Sequence, residues 1–242
     1  VSAVKTVFVI LFWAVAGCSA HVSPLCEQES PALFQTDPVV CFIQNPAVDG
    51  TSVQRRWGGS LIPLGGQRAL TARHVPRQPV VYVDGKLTGI DTLHDGGGEA
   101  VSAGDWVILQ VNDAPLPMPD DLVGDHVFRE DSCVYLCGFV SAVGDTNRPT
   151  LIRGVVGRTP LWTERPPPGV VIVNVEGSPN LSGMSGGPVV IPNADGTSWR
   201  VVGVILGTLS SGWWTAFAIC PLPEEALART ESTGVKEPAI PD

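Results

Sequence analysis

Residues 80–90 read Val80-Val81-Tyr82-Val83-Asp84-Gly85-Lys86-Leu87-Thr88-Gly89-Ile90. Two strand-forming runs flank Asp84-Gly85, and both central positions of such a two-residue turn favour φ > 0, so the stretch predicts an antiparallel hairpin. Working outward, Ser60–Leu64 and Arg68–Ala72 flank Gly65-Gly66, and Trp106–Val111 supplies another strand. Asn112–Asp121 holds three prolines in ten residues and reads as a crossing between halves. The second half repeats the style with Cys133–Phe139, Thr150–Val156, Val170–Glu176, Pro188–Ile191, Arg200–Leu206 and Thr215–Cys220, with a turn at Asn193–Gly196. Pro223–Ala228 reads as a short closing helix, with Pro and acidic residues in its first turn. The expectation is an all-β chain of two packed barrels, one over about 41–112 and one over about 123–229, with the cleft between them as the natural site.

Composition agrees. Of 242 residues, 27 Gly and 22 Pro make about a fifth, while 16% are charged and 44% hydrophobic. So few charges exclude a disordered polar chain. The Gly and Pro content argues against coiled coils and helical bundles, and its lack of a fixed period against collagen and solenoids. The net charge is −9 with no basic stripe, which excludes nucleic acid as an expected partner.

The first residues form a separate unit. A lone Lys5 precedes the apolar run Thr6–Ala16 and then Gly17-Cys18. Eleven apolar residues are too few to cross a bilayer, which takes roughly 20, and fit the core of an export signal over 1–17. Val15-Ala16-Gly17-Cys18 resembles the lipobox of bacterial lipoproteins, which implies cleavage before Cys18 and lipid on its thiol. An ordinary signal peptide with a nearby Cys is the alternative. The expected location is therefore the cell envelope, on the periplasmic or extracellular face, with a membrane partner through the Cys18 anchor. Residues 18–40 read as a linker and 230–242 as a tail. Cys26, Cys41, Cys133, Cys137 and Cys220 remain, an odd number. Cys26 and Cys41 offer a local disulfide pair, with the connectivity of the five left open, whereas Cys133 and Cys137, on one strand, stand about 13 Å apart, too far for a mutual bridge. No Cys or His cluster has zinc-ligand spacing, and no metal or cofactor is expected.

Three segments carry chemistry. Leu181-Ser182-Gly183-Met184-Ser185-Gly186-Gly187-Pro188 sets a Ser among glycines before an apolar strand. Such a turn can expose a hydroxyl and leave N–H groups free for an oxyanion, although alone it is also simply a good turn. In Ala69-Leu70-Thr71-Ala72-Arg73-His74-Val75 His74 ends a strand, and Asp105 leads into Trp106–Val111. Singly, a strand-end His is more often structural and a strand-start acid is common. Together, in the order His, Asp, Ser, they supply the three residue types of a nucleophilic triad. His21, His94 and His126 compete for the base, and Ser178 and Ser182 for the nucleophile, without comparable motifs.

These residues resemble the trypsin-like serine peptidases of the chymotrypsin fold. Gly58-Gly59-Ser60-Leu61-Ile62 and Leu70-Thr71-Ala72-Arg73-His74 are similar to that family's strand pair leading to its catalytic histidine. Gly183–Pro188 is similar to its nucleophile string, and Val202-Gly203-Val204-Ile205 to the strand after it. Ala216-Phe217-Ala218-Ile219 resembles the last strand of the bacterial high-temperature-requirement (Deg) branch. The resemblance spans about Trp57 to Leu227 and implies two six-stranded antiparallel barrels. It implies Ser185 as nucleophile, His74 as base, Asp105 as its orienting carboxylate, and the N–H groups of Gly183 and Ser185 as oxyanion hole. It also implies a polypeptide substrate, with Pro179, Asn180, Leu206, Gly207 and Thr208 near the primary pocket and no acid to select Arg or Lys. Two departures stand out. Trp57 and Val75 occupy the places of a disulfide usual around the histidine, and Met184 stands where secreted trypsins carry an Asp. Maturation by signal removal alone, with no PDZ module following, is expected. A trypsin-like binding or scaffold lipoprotein without turnover is the alternative function. The oligomeric state is not legible.

Overall fold

The computed structural model describes residues 37–46, 58–112, 115–140, 149–157, 166–175, 181–211 and 214–228. The signal segment 1–17, Cys18, most of the linker, Pro179, Asn180 and the 230–242 tail lie outside these residues. Barrel one comprises β1 (Cys41–Gln44), β2 (Gly58–Pro63), β3 (Arg68–Thr71), β4 (Val80–Val83), β5 (Lys86–Asp95) and β6 (Val107–Val111). They close in the order β1-β2-β3-β6-β5-β4. A two-residue strand, β7 (Asp121–Leu122), follows the proline-rich crossing. Barrel two comprises β8 (Cys133–Gly138), β9 (Thr150–Val156), β10 (Val171–Val175), β11 (Pro188–Pro192), β12 (Trp199–Ser211) and β13 (Trp214–Pro221). Their order is β11-β8-β9-β10-β13-β12, closed by β11–β12 pairing, and β7 adds in parallel at β12. The helix α1 (Glu224–Leu227) ends the described chain.

The expected all-β fold of two six-stranded barrels with a short C-terminal helix is present. Asp84 and Gly85 have φ of 47° and 81°, as the two-residue hairpin requires. Neighbouring residues of the central strands point into different cores, because side chains alternate across a strand. Leu61, Ala69 and Leu109 face the interior of barrel one. Ile62, Leu70 and Ile108 face a second cluster shared with Tyr135, Val204, Leu206 and Ala218 of barrel two. Phe217 and Ile219 fill barrel two itself. Strands covered on both faces read as unbroken apolar runs, which is how Val107–Leu109 reads.

A buried cation joins the barrels. Arg68 of β3 donates from Nη1 to the Ala228 carbonyl at 2.5 Å and from Nη2 to the Glu225 carbonyl at 2.8 Å. These carbonyls lie at the C-terminal end of α1, which lacks intrahelical partners and carries partial negative charge.

The local Cys26–Cys41 pair that sequence distance offered is corrected. Cys41 is a buried free thiol on β1, as are Cys137 and Cys220 on β8 and β13. Its strand position, enclosed in barrel one, outweighs nearness in sequence. Among the described residues Cys133 is the cysteine that is disulfide-bonded.

Candidate active site

The site is assembled where β3 ends and β6 begins. Their antiparallel register pairs Thr71 with Val107, so the residues just after β3 and just before β6 share one end of barrel one. His74 comes three positions after Thr71, in a turn closed by Val75 N–H to the Ala72 carbonyl at 3.0 Å. Asp105 comes two before Val107, and its carbonyl accepts Arg73 N–H at 3.2 Å. His74 Nδ1 lies 2.8 Å from Asp105 Oδ2.

The Asp105 side chain is 1% exposed, whereas that of His74 is 33% exposed. Burying a carboxylate is costly unless its oxygens are hydrogen-bonded. Here Oδ1 accepts His74 N–H at 3.2 Å, and Oδ2 accepts Val101 N–H at 2.7 Å beside the imidazole. Val101 achieves this at φ 63°, a left-handed conformation that β-branched residues avoid. Strain of this kind costs about 1–3 kcal/mol and collects at functional sites. The loop is held by Asp105 N–H to Ser102 carbonyl at 3.0 Å, and by Arg73 bonding Asp95 at 2.7 and 3.0 Å.

Ser185 lies on the turn before β11 in barrel two, half-buried. Its turn rests on the segment that carries His74. A Cβ on Gly59 would stand 2.7 Å from the Val75 side chain and 2.9 Å from the Ser185 carbonyl. One on Gly186, at φ 84°, would run into Thr71 Oγ1 and the Ser60 carbonyl and stand 2.9 Å from Ala72 N. One on Gly187 would strike the Cys137 carbonyl. Gly59 and Gly186 let backbone from the two barrels touch, and Gly187 lets its turn close onto β8 within barrel two. Gly186 N–H donates to the Ile205 carbonyl at 2.7 Å, Gly187 N–H to the Met184 carbonyl at 3.0 Å, and Met184 N–H to the Leu181 carbonyl at 3.3 Å. The N–H groups of Gly183 and Ser185 take no part in these bonds. Met184 is fully buried in the interior of barrel two, so the place of an acidic residue is filled by packing.

The other candidates separate clearly. Leu206 is buried in the shared core, Gly207 is buried beside a register shift in the β12–β13 pairing, and Thr208 is exposed. Pro179 and Asn180 lie outside the described residues, as do Ser178 and His21. His94 is exposed on β5, and His126 packs edge-on against Phe128 at 4.8 Å. Burial pushes the Cys137 and Cys220 thiols up to about 12, so neither offers a thiolate near neutral pH. Among the described residues, no group of three or more His, Cys, Asp or Glu converges on a metal position, and no helix is long and apolar enough to cross a membrane. Sequence reasoning missed Val101 and Ser60. A valine on a loop carries no signal for a left-handed conformation, and Ser60 reads only as a strand residue.

No protein-family model and no curated protein matches the sequence. The fold is similar to that of solved HtrA-type proteases. HtrA-type protease AlgW with decapeptide matches at a TM-score of 0.52 and 18% identity, over 81% of this chain and 64% of that one. AlgW with tripeptide matches at 0.52 and 20% identity, over 81% of this chain and 60% of that one. The chain thus spans less than two thirds of the length of the structures it matches. The two barrels are those of the chymotrypsin fold.

Proposed function

We propose that the protein is an exported serine endopeptidase acting through a Ser-His-Asp triad and an acyl-enzyme intermediate. The 2.8 Å contact between His74 Nδ1 and the buried Asp105 carboxylate carries the reading. That carboxylate already accepts two main-chain N–H bonds, so it acts as acceptor toward His74 also. Nδ1 then bears the proton and Nε2 keeps its lone pair. Nε2 takes the Ser185 hydroxyl proton as Oγ bonds the scissile carbonyl carbon, and the carbonyl π pair moves onto oxygen. The N–H groups of Gly183 and Ser185 receive that oxyanion, each such donor contributing about 2.7–4 kcal/mol. Collapse breaks the C–N bond, the amine leaves with the proton from Nε2, and an ester remains on Ser185. Water, deprotonated by His74, then attacks the ester carbonyl; the bond from the acyl carbon to Ser185 Oγ breaks, Oγ takes the proton back from Nε2, and the peptide acid leaves.

The peptides named with the HtrA-type neighbours support a polypeptide as the substrate class. The leading segment supports export, with a lipid on Cys18 holding the protein at the membrane surface.

A fluorophosphonate probe tests the chemistry. The full chain should be labelled covalently and Ser185→Ala should not. Equal labelling of both, or none of either, rejects the nucleophile and favours a scaffold without turnover. Mass spectrometry of the mature N-terminus tests the anchor. Acylated Cys18 supports it, and an unmodified N-terminus elsewhere rejects it.

A further inference from the structure

We propose that Ser60 is a positioning residue for the Ser185 N–H of the oxyanion hole, a role that rests on the reading of Ser185 as nucleophile. Ser60 belongs to β2 of barrel one and is fully buried. Each of its polar groups is engaged. Its N–H donates to the Ser185 carbonyl at 2.8 Å. Its hydroxyl donates to the Gly183 carbonyl at 3.1 Å and accepts Phe139 N–H at 2.9 Å. Its own carbonyl accepts the Thr71 hydroxyl at 2.7 Å.

The two gripped carbonyls belong to the peptide groups on either side of the Met184–Ser185 peptide. The Met184 carbonyl between them is taken by Gly187 N–H at 3.0 Å. In a planar trans peptide the C=O and N–H point in opposite directions. Tying three successive carbonyls therefore sets where the intervening N–H groups, including that of Ser185, are aimed. Gly183, at φ 104°, has no side chain to resist rotation of its peptides, so hydrogen bonding must hold them.

Water has little room to replace the Ser60 hydroxyl. A Cβ on Gly138 would lie 2.8 Å from Ser60 Oγ, and one on Gly187 would lie 3.2 Å from Ser60 Cβ. Removing one hydroxyl opens a space below the volume of a water molecule. Ser60→Ala would thus leave the Gly183 carbonyl and Phe139 N–H unpaired while its main-chain bonds persist.

The test compares fluorophosphonate labelling rates of the wild-type full chain, Ser60→Ala and Ser185→Ala across a pH series, alongside thermal melting. Ser60→Ala should melt cooperatively and label about ten- to a hundredfold more slowly at the pH plateau, with the midpoint of the pH profile unmoved. A folded Ser60→Ala variant that labels within about twofold of wild type overturns the proposal, because a purely structural role lowers stability without lowering the rate of folded protein. If wild type does not label, or Ser185→Ala labels equally, the nucleophile reading fails and the positioning role falls with it. That outcome is distinct because it appears without Ser60→Ala. Should Ser60→Ala show no cooperative melt, Ser60→Cys, close in volume and a weaker donor, takes its place. The same loss supports the role and a wild-type rate overturns it.

Discussion

Replacing Asp105 by Asn separates the charge of the carboxylate from its shape. Oδ2 accepts two bonds, from His74 Nδ1 at 2.8 Å and Val101 N–H at 2.7 Å, whereas Oδ1 accepts only His74 N–H at 3.2 Å. An amide has one oxygen and one NH2, so its favoured orientation keeps oxygen at the doubly bonded position. The NH2 then faces His74 N–H, which loses its acceptor at a cost of about 1–3 kcal/mol. For a domain of this size each kcal/mol lowers Tm by about 2–4 °C. The opposite orientation also keeps two bonds, from the NH2 to Nδ1 of the other tautomer and from His74 N–H to the oxygen, but it sets NH2 against Val101 N–H at the closer 2.7 Å position rather than against His74 N–H at 3.2 Å, and is disfavoured. Because Nδ1 keeps its proton, the loss of rate reports the missing negative charge.

That loss can be sized. Opposite charges about 4 Å apart at an effective dielectric constant near 20 attract by about 4 kcal/mol, which corresponds to about a thousandfold in rate. Fluorophosphonate labelling of Asp105→Asn should therefore be slower by about that factor, while circular dichroism shows a cooperative melt at a modestly lower temperature. Labelling within about tenfold of wild type, from a fully folded variant, would refute the reasoning. The buried carboxylate would then serve packing rather than the charge formed on His74.

Three further outcomes follow from other contacts. Arg68→Met should destabilise by about 2–4 kcal/mol, because two helix-end carbonyls lose a charged donor, and denaturant unfolding with an unchanged midpoint would discount the inter-barrel bond. Gly186→Ala combines φ 84° with a Cβ driven into the Thr71 hydroxyl and Ser60 carbonyl, and should cost at least about 3 kcal/mol and most labelling; a variant with wild-type rate and Tm would contradict the described turn. Burial, then the nearby Arg200, lowers the His126 pKa, so the unfolded chain binds that proton more readily than the folded one. The His126 contribution to stability is therefore lost as pH falls through the ordinary imidazole value. His126→Gln should flatten the acid side of a Tm–pH series, and an unaltered slope would remove His126 from that dependence.

The local features were legible in the sequence and the long-range ones were not. Asp84-Gly85 declares its hairpin because the turn chemistry is contained in two residues. The pairing of His74 with Asp105 follows from two neighbouring strands, each with its polar residue at the appropriate end. By contrast, β5 runs to Asp95 although Asp91–Asp95 is exposed and, Leu93 apart, polar, because pairing with β6 continues through Asp95 and Val107. β7 is two residues long and exists only through its partner strand. Cys41 could be matched to Cys26 on sequence distance, yet its enclosure in barrel one is decided by strands β2 and β4. Ser60 shows nothing locally, since its partners at Gly183 and Ser185 lie more than a hundred positions away.

The long-range contacts matter most because the proposed reacting groups come from different barrels. His74 and Asp105 sit on barrel one, while Ser185 and Gly183 sit on barrel two, so an error in barrel packing becomes an error in attack geometry. A displacement of about 1 Å can cost a hundredfold in rate. Side-chain packing alone leaves some slack, since side chains can change rotamer. Here Gly59 and Gly186 bring main chain within van der Waals reach of the opposite barrel's main chain, where there is no rotamer to adjust. The Ser60 N–H to Ser185 carbonyl bond fixes the direction of that contact as well as its distance. Arg68 adds a second tie between β3 and α1. The glycines around Ser185 thus serve two ends: they shape a tight turn within barrel two, and they remove the side chains that would hold that turn away from the strand leading to His74.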